Sequence, residues 1–278
     1  MKVEFNNVSF AYSKKSVNAI NNINFVLHDP EIVFILGHTG SGKSTLVQHM
    51  NGLLFAQEGE VKVEIDGTEY NVSAKERKIK ELRKNVGLVF QFPENQLFET
   101  SVLEEVMFGP KNFGYSSEEA EKLAKDSLEL VGITKDYYEK SPFDLSGGEK
   151  RKVAIASVIA SKPRILVLDE PTSSLDAKAT KEFFALLKQL KERGILVIVV
   201  SHDVNLCYEY ADRVMILDKG NMVYFGSYKK AFNNKEMLES ARIETPFVLK
   251  VKERIKLDSD ARNIGELVKA IGEVTSHE

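Results

Sequence analysis

The chain has 278 residues, 43% of them hydrophobic, with a formal net charge of −3 and a single cysteine, Cys207. That is enough apolar material for a packed core. It excludes an intrachain disulfide, gives no electrostatic reason to expect a nucleic-acid partner, and fits a reducing compartment. Lys2, Glu4, Asn6 and Asn7 interrupt the start, so no signal peptide is predicted. No run approaches the ~18 apolar residues that a membrane-spanning helix needs. A cytosolic chain is expected, with any membrane role exerted through a partner.

In chain order, residues 2–6 alternate polar and apolar side chains, and Val8, Phe10 and Tyr12 continue the alternation, which predicts a strand with one wet face. A tyrosine there can stack on a purine, yet taken alone it reads more readily as a half-buried strand residue. Ile20, Ile23, Phe25 and Leu27 predict a second strand, and Asp29-Pro30 turns the chain into the apolar run 32–36. That run leads into Gly37-His38-Thr39-Gly40-Ser41-Gly42-Lys43-Ser44-Thr45, which fits G-x-x-x-x-G-K-[ST] between a strand and a helix. Glycines let backbone wrap closely around a phosphate, and the N–H groups of the loop and helix start point at the anion. In this pattern Lys43 reaches the outer phosphates and the Ser44 hydroxyl binds Mg²⁺.

Residues 59–67 alternate between turn signals and predict a hairpin strand, and 74–84 are charged and helical in composition. Residues 86–90 form a short apolar strand that delivers Gln91, at the kind of strand end where α/β sheets meet ligands. From residue 92 the pattern turns helical. Ser101 and Glu104 form a candidate capping box, and a longer helix runs from Ser116 or Ser117 through Leu130 to a stop at Gly132. A helical insertion between two core strands is expected. Leu145-Ser146-Gly147-Gly148-Glu149 then opens another helix, and its adjacent glycines form either a second anion nest or an ordinary helix start.

The buried run 165–168 delivers Asp169 and Glu170 before Pro171; paired acids there suit metal and water chemistry, or a solvated turn. Residues 179–193 read as an amphipathic helix, with Phe183, Leu186, Leu187 and Leu190 on one face. The apolar run 195–200 delivers Ser201-His202-Asp203, where a lone histidine is ordinarily structural. Residues 214–225 predict a hairpin. Short helices follow at 229–242, from about Pro246, and at 263–272; Leu249, Val251 and Ile255 can pack on the body or on another subunit.

The P-loop, Gln91, the Leu145–Glu149 stretch, Asp169-Glu170 and His202 stand in one order that resembles the nucleotide-binding subunit of ATP-binding cassette (ABC) transporters, over residues 1 to about 228. Gln91-Phe92-Pro93-Glu94-Asn95-Gln96-Leu97-Phe98, Phe108-Gly109-Pro110-Lys111-Asn112 and the helical tail are similar to the ATPases of energy-coupling-factor (ECF) transporters, which include cobalt and nickel importers. The resemblance implies an α/β fold: a P-loop NTPase (RecA-like) core, an antiparallel β region, a helical subdomain at about 92–161, and a small C-terminal helical domain at 229–278 that serves dimerisation.

It also implies roles. Tyr12 stacks on adenine and residues 37–45 hold the phosphates. Gln91 touches Mg²⁺ or the attacking water. Asp169 holds Mg²⁺, Glu170 is the general base, Ser173-Ser174-Leu175-Asp176 form the D-loop, and His202 contacts the γ-phosphate and Glu170. Ser146, Gly147 and Gly148 belong to the signature that binds ATP held by the opposite subunit. Implied with ATP and Mg²⁺ are a second cassette, the same or a sister chain, an integral membrane scaffold, and a membrane subunit that selects a vitamin or metal ion. The chain would sit peripherally on the cytoplasmic face. Glu149 departs from the usual Gln. An ordinary ABC importer or exporter is disfavoured by the Pro-Glu-Asn-Gln-Leu-Phe stretch and the tail. A non-transport ABC ATPase is disfavoured because neither a long coiled coil nor two cassettes in one chain is found.

Overall fold

Alternation builds the first sheet and unbroken apolar runs build the second. The computed structural model describes residues 1–13, 17–73, 75–173 and 175–275. In chain order, β1 (Lys2–Phe10), β2 (Ile20–Leu27) and β3 (Ile32–Leu36) lead to α1 (Lys43–Met50). Then come β4 (Glu58–Ile65), β5 (Thr68–Asn71), α2 (Ile79–Asn85) and β6 (Val86–Val89). An antiparallel sheet forms in the order β2-β1-β4-β5. Its inward residues, among them Val3, Phe5, Ile23, Val61 and Val63, are buried.

Three helices separate β6 from the next strand: α3 (Val102–Asn112), α4 (Ser117–Leu130) and α5 (Gly147–Ile159). They are followed by β7 (Ile165–Asp169), α6 (Ala177–Glu192), β8 (Leu196–Val200), α7 (Val204–Tyr210), β9 (Arg213–Asp218) and β10 (Asn221–Ser227). The core sheet runs β10-β9-β3-β8-β7-β6 and is parallel except for the β9/β10 hairpin. Strands β3, β7 and β8 are buried at every residue, which is why they read as continuous apolar runs rather than alternating ones. Val33 and Ile35 pack toward Phe5 and Val63 of the first sheet. Phe34 and Leu36 pack the other way, where Phe34 lies 5.9 Å from the ring of Phe184 on α6. Truncating a buried phenylalanine of this kind costs about 3–5 kcal/mol.

Several local expectations need correction. The charged helix begins at Ile79, with Lys78 at its cap, and Ala74 lies outside the described residues. At Ser101 only half of the capping box forms. Its hydroxyl accepts from the Glu104 N–H, while the Glu104 carboxylate turns away to Lys111 at 2.7 Å. The box at Ser116 and Glu119 is complete. Helix α3 carries Pro110 inside it.

The tail forms α8 (Tyr228–Asn233), α9 (Lys235–Ser240), α10 (Phe247–Arg254) and α11 (Ile264–Thr275). The single helix expected over 229–242 is two, because the Asn234 side chain accepts from the Met237 N–H and starts a new helix. Phe232, Leu238, Leu249 and Leu267 join the same buried cluster as Phe184. Val251 packs against that cluster, whereas Ile255 is 49% exposed. Arg262 pins the tail to α7 by donating to the carbonyls of Tyr208 and Ala211, both at 2.7 Å. Among the described residues no helix is long and apolar enough to cross a membrane.

Candidate functional site

Four neighbouring strands, β3-β8-β7-β6, point the same way, and their registers align Ile35 with Val200, Val200 with Asp169, and Leu168 with Val89. Each delivers its candidates at or just past its carboxyl end: the 37–45 loop, His202, Asp169-Glu170 and Gln91. The topology therefore brings together residues scattered over 165 positions of sequence, from 37 to 202. A cavity of about 400 Å³ opens there, lined by Lys43, Ser44, Gln91, Asp169, Glu170 and His202, with Tyr12, Thr39, Gly40, Gly42 and Thr45 around it. This is the sheet edge where open α/β folds bind ligands.

The loop fits only glycine at key points. A Cβ on Gly37 would lie 2.4 Å from the Leu217 carbonyl oxygen; one on Gly42, at φ +102°, would lie 2.4 Å from that of Ala19. Ser41 is fully buried. Lys43 is buried as well, and its Nζ donates to the carbonyls of Gly37 (2.6 Å) and His38 (3.1 Å). Burial pushes its pKa below the ordinary lysine value, against the pull of Glu170 and Asp169. Among the described residues its hydrogen bonds go to neutral carbonyls, and a desolvated ammonium so placed suits an anion. His38 reaches sideways: its Nε2 lies 2.7 Å from Asp218, which anchors the loop to the end of β9. Tyr12 is not a half-buried strand residue. It lies past the end of β1, 65% exposed at the cavity rim, and its hydroxyl shares a hydrogen bond with Thr45 Oγ1 at 3.0 Å.

Burial raises the pKa of Asp169 above the ordinary aspartate value, partly offset by the neighbouring Ser44 hydroxyl. Hydroxyl, carboxylate and the amide oxygen of Gln91 make a hard-oxygen donor set in one cavity. Magnesium is held in such places by one or two carboxylates together with substrate phosphates. Among the described residues no cluster of three or more His, Cys, Asp or Glu side chains could hold a metal by itself. The residues thus fit Mg²⁺ that arrives with phosphate oxygens.

Glu170 sits at φ +48°, left-handed although it has a Cβ. Such a conformation costs about 1–2 kcal/mol and persists where surrounding bonds fix it. Its N–H donates to the Val200 carbonyl at 3.0 Å, and its carbonyl accepts from the N–H and hydroxyl of Ser173 at 3.3 and 2.9 Å. The turned carboxylate faces His202, whose Nδ1 is 3.0 Å from both oxygens. Asp203 caps α7 through the N–H groups of Asn205 and Leu206, which fixes the backbone next to His202. The strain at Glu170 has no sequence signal. Of the D-loop, Ser174 lies outside the described residues, and Asp176 caps α6 by accepting from the Ala179 N–H at 2.7 Å.

Ser146, Gly147 and Gly148 are not in this cavity. They are exposed at the N-terminus of α5. Ser146 donates to the Glu149 carboxylate through its hydroxyl (2.6 Å) and its N–H (2.8 Å), and the Glu149 N–H donates back. The Ser146 hydroxyl, then that of Tyr137, then the Ser146 N–H hold the Glu149 pKa down to about 2. The unusual acid in this stretch therefore serves a complete capping box.

A family model described as "ABC transporter" matches residues 20–173, more than half of the chain. The chain belongs to the ABC transporter family. It is 43% identical, over 98% of its length and 99% of the relative's, to the energy-coupling factor transporter ATP-binding protein EcfA2 of Streptococcus agalactiae serotype Ia. The Streptococcus pyogenes serotype M5 protein of the same name is 45% identical over 92% of this chain and 91% of that one. Within the family it is thus an ATPase subunit of the ECF type. Among solved structures, cbiO1 from Clostridium perfringens, described as part of the ABC transporter complex cbiONQ, superposes with a TM-score of 0.74 at 33% identity, covering 90% of this chain and 98% of that one. A dimeric cassette, MJ0796, bound to ADP and Pi gives a TM-score of 0.70 at 32% identity, covering 81% of this chain and 98% of that one.

Proposed function

We propose that the chain hydrolyses MgATP in the cavity at the carboxyl edge of its parallel sheet, as one of two cassettes that drive import of a vitamin or metal ion across the cytoplasmic membrane. The observation that carries this reading is the Glu170–His202 contact at 3.0 Å in one cavity with Lys43, Ser44 and Asp169. Lys43 and the loop N–H groups hold the β- and γ-phosphates, and Tyr12 offers its ring to the adenine. Mg²⁺, held by Ser44, Asp169 and Gln91, supplies neutralisation of phosphate charge when bound. The Glu170 carboxylate takes a proton from the attacking water. His202 keeps that carboxylate aimed through Nδ1 and leaves its other ring nitrogen for the γ-phosphate. Preorganised positive groups around that phosphate supply most of the rate.

Ser146 to Gly148, exposed and outside the cavity of their own chain, serve the ATP of the facing cassette. Dimer closure is the step passed to the membrane subunits. Phe92, Phe98 and Phe108 are 41%, 55% and 45% exposed, and this aromatic patch beside Gln91 is the seat of an integral scaffold protein on the cytoplasmic face. The chain never touches the transported solute, which a separate membrane subunit selects. The test is recovery of Glu170→Gln chain from native membranes with ATP present. A second cassette, an integral scaffold and small hydrophobic membrane subunits are expected alongside it. A permease of two symmetric halves instead would point to an ordinary ABC transporter, and nucleic acid or ribosomes without membrane protein would end the transport reading.

A further inference from the structure

Arg151, on the first turns of α5, is 4% exposed. A buried guanidinium needs several good acceptors to offset its lost hydration. Here Nε and Nη2 donate to the two carboxylate oxygens of Glu94, at 3.3 and 3.2 Å. Nη1 donates to the carbonyls of Pro171, at 3.2 Å, and Ser173, at 2.5 Å. Three segments far apart in sequence thus meet on one side chain. Glu94 lies in a 3₁₀ turn, Pro93–Gln96, between cavity-lining Gln91 and exposed Phe98. Pro171 and Ser173 belong to the turn that follows left-handed Glu170, and Ser173 donates to the Glu170 carbonyl. Arg151 follows Ser146–Gly148 on the same helix.

We infer that Arg151 is a positioning residue: with Glu94, it ties the aromatic docking segment and the signature helix to the backbone turn that aims Glu170. The inference rests on the assignment of Glu170 as general base. A guanidinium suits the task because its rigid fork offers donors in two directions at once, toward a carboxylate and toward two carbonyls; an ammonium is a single point charge on a flexible stem. Pressure on Phe98 from a membrane partner displaces Glu94, Glu94 carries Arg151, and Arg151 loosens or tightens the Pro171–Ser173 turn. The link gives a membrane partner a mechanical route to the hydrolytic carboxylate that does not pass through the nucleotide.

The test compares wild type, Glu94→Gln and Arg151→Lys in the purified transporter complex. It reads kcat and KM for MgATP, ATP affinity in a Glu170→Gln background, and melting temperature. Misaiming a reacting group by about 1 Å costs up to roughly 10²-fold in rate. Both variants are expected to lower kcat by about 10-fold or more, with KM and ATP affinity within about 2-fold. Glu94→Gln keeps the shape and removes only the charge, so it remains informative if Arg151→Lys melts early. Unchanged kcat in both variants, or a loss that merely follows the unfolded fraction, overturns the link alone. A wild-type complex that binds no ATP overturns the parent reading and the link with it.

Discussion

The cavity at the sheet edge and the N-terminus of α5 both offer backbone N–H groups to an anion, yet they are built in opposite ways. The first is assembled from four adjacent strand ends, with Lys43 and Asp169 buried and Glu170 bent into position by surrounding bonds. The second is exposed, and its serine hydroxyl is occupied by its own neighbour Glu149. The side chains of one already face a common cavity; in the proposed reading the other becomes useful only against something brought to it. That difference is what the proposed split site requires of one half, and under that reading the two regions fail differently when altered.

The sharpest break comes at the cavity. Lys43→Ala is expected to lower ATP turnover by at least roughly 10²–10³-fold, the scale of losing one charge-stabilising donor, in a steady-state assay with both cassettes present. ATP binding should weaken as well, because in the proposed site Lys43 serves bound and reacting phosphate alike. Ser146→Arg attacks the other region. It should abolish turnover in the assembled pair to a similar degree, yet leave ATP binding by the isolated chain within about 2-fold, since Ser146 does not line that cavity. Equal loss of binding in both variants would erase the distinction between the regions.

A smaller effect comes from pH. His49, fully buried on α1 behind the loop, has its pKa lowered by burial, partly offset by backbone hydrogen bonds. The unfolded chain therefore binds the proton more readily. His49 lets stability rise with pH, so it is fully stable above the unfolded value of about 6.5 and loses stability as pH falls below it. The melting temperature should drop between pH 7.5 and 5.5, and less so in His49→Gln. Glu149→Gln is expected to be the mildest change. Glutamine retains an acceptor for Ser146, so turnover should stay within about 3-fold in the same assay, the scale of a weakened helix cap.

The order of strands and the residues at their ends were legible because the physics is local: apolar runs, glycines, and polar residues at a run's end. Lys43, Gln91, Asp169 and Glu170 were nameable on that basis, whereas His202 stood out only through the family resemblance, since a lone histidine at a strand end reads as structural. Arg151 was not. After the signature it reads as one more basic helical residue, and its meaning depends on Glu94, 57 positions away. Nor was the left-handed turn at Glu170, since Asp-Glu-Pro-Thr carries no glycine to announce it. The break at Asn234 does carry a signal, an asparagine able to cap, which the helical composition of 229–242 hides. The half-formed box at Ser101 depended on Lys111, seven residues along, outbidding the Ser101 N–H for the Glu104 carboxylate.

The most direct test of the split site is to follow ATP binding and ATP turnover of the chain together through serial dilution, then add a second cassette at the lowest concentration. The expected result is saturable binding at every dilution, turnover per chain that falls away on dilution, and its return when the second cassette, a copy or a sister subunit, is supplied. Turnover per chain that stays constant to the lowest concentration, with no second cassette present, would contradict the account.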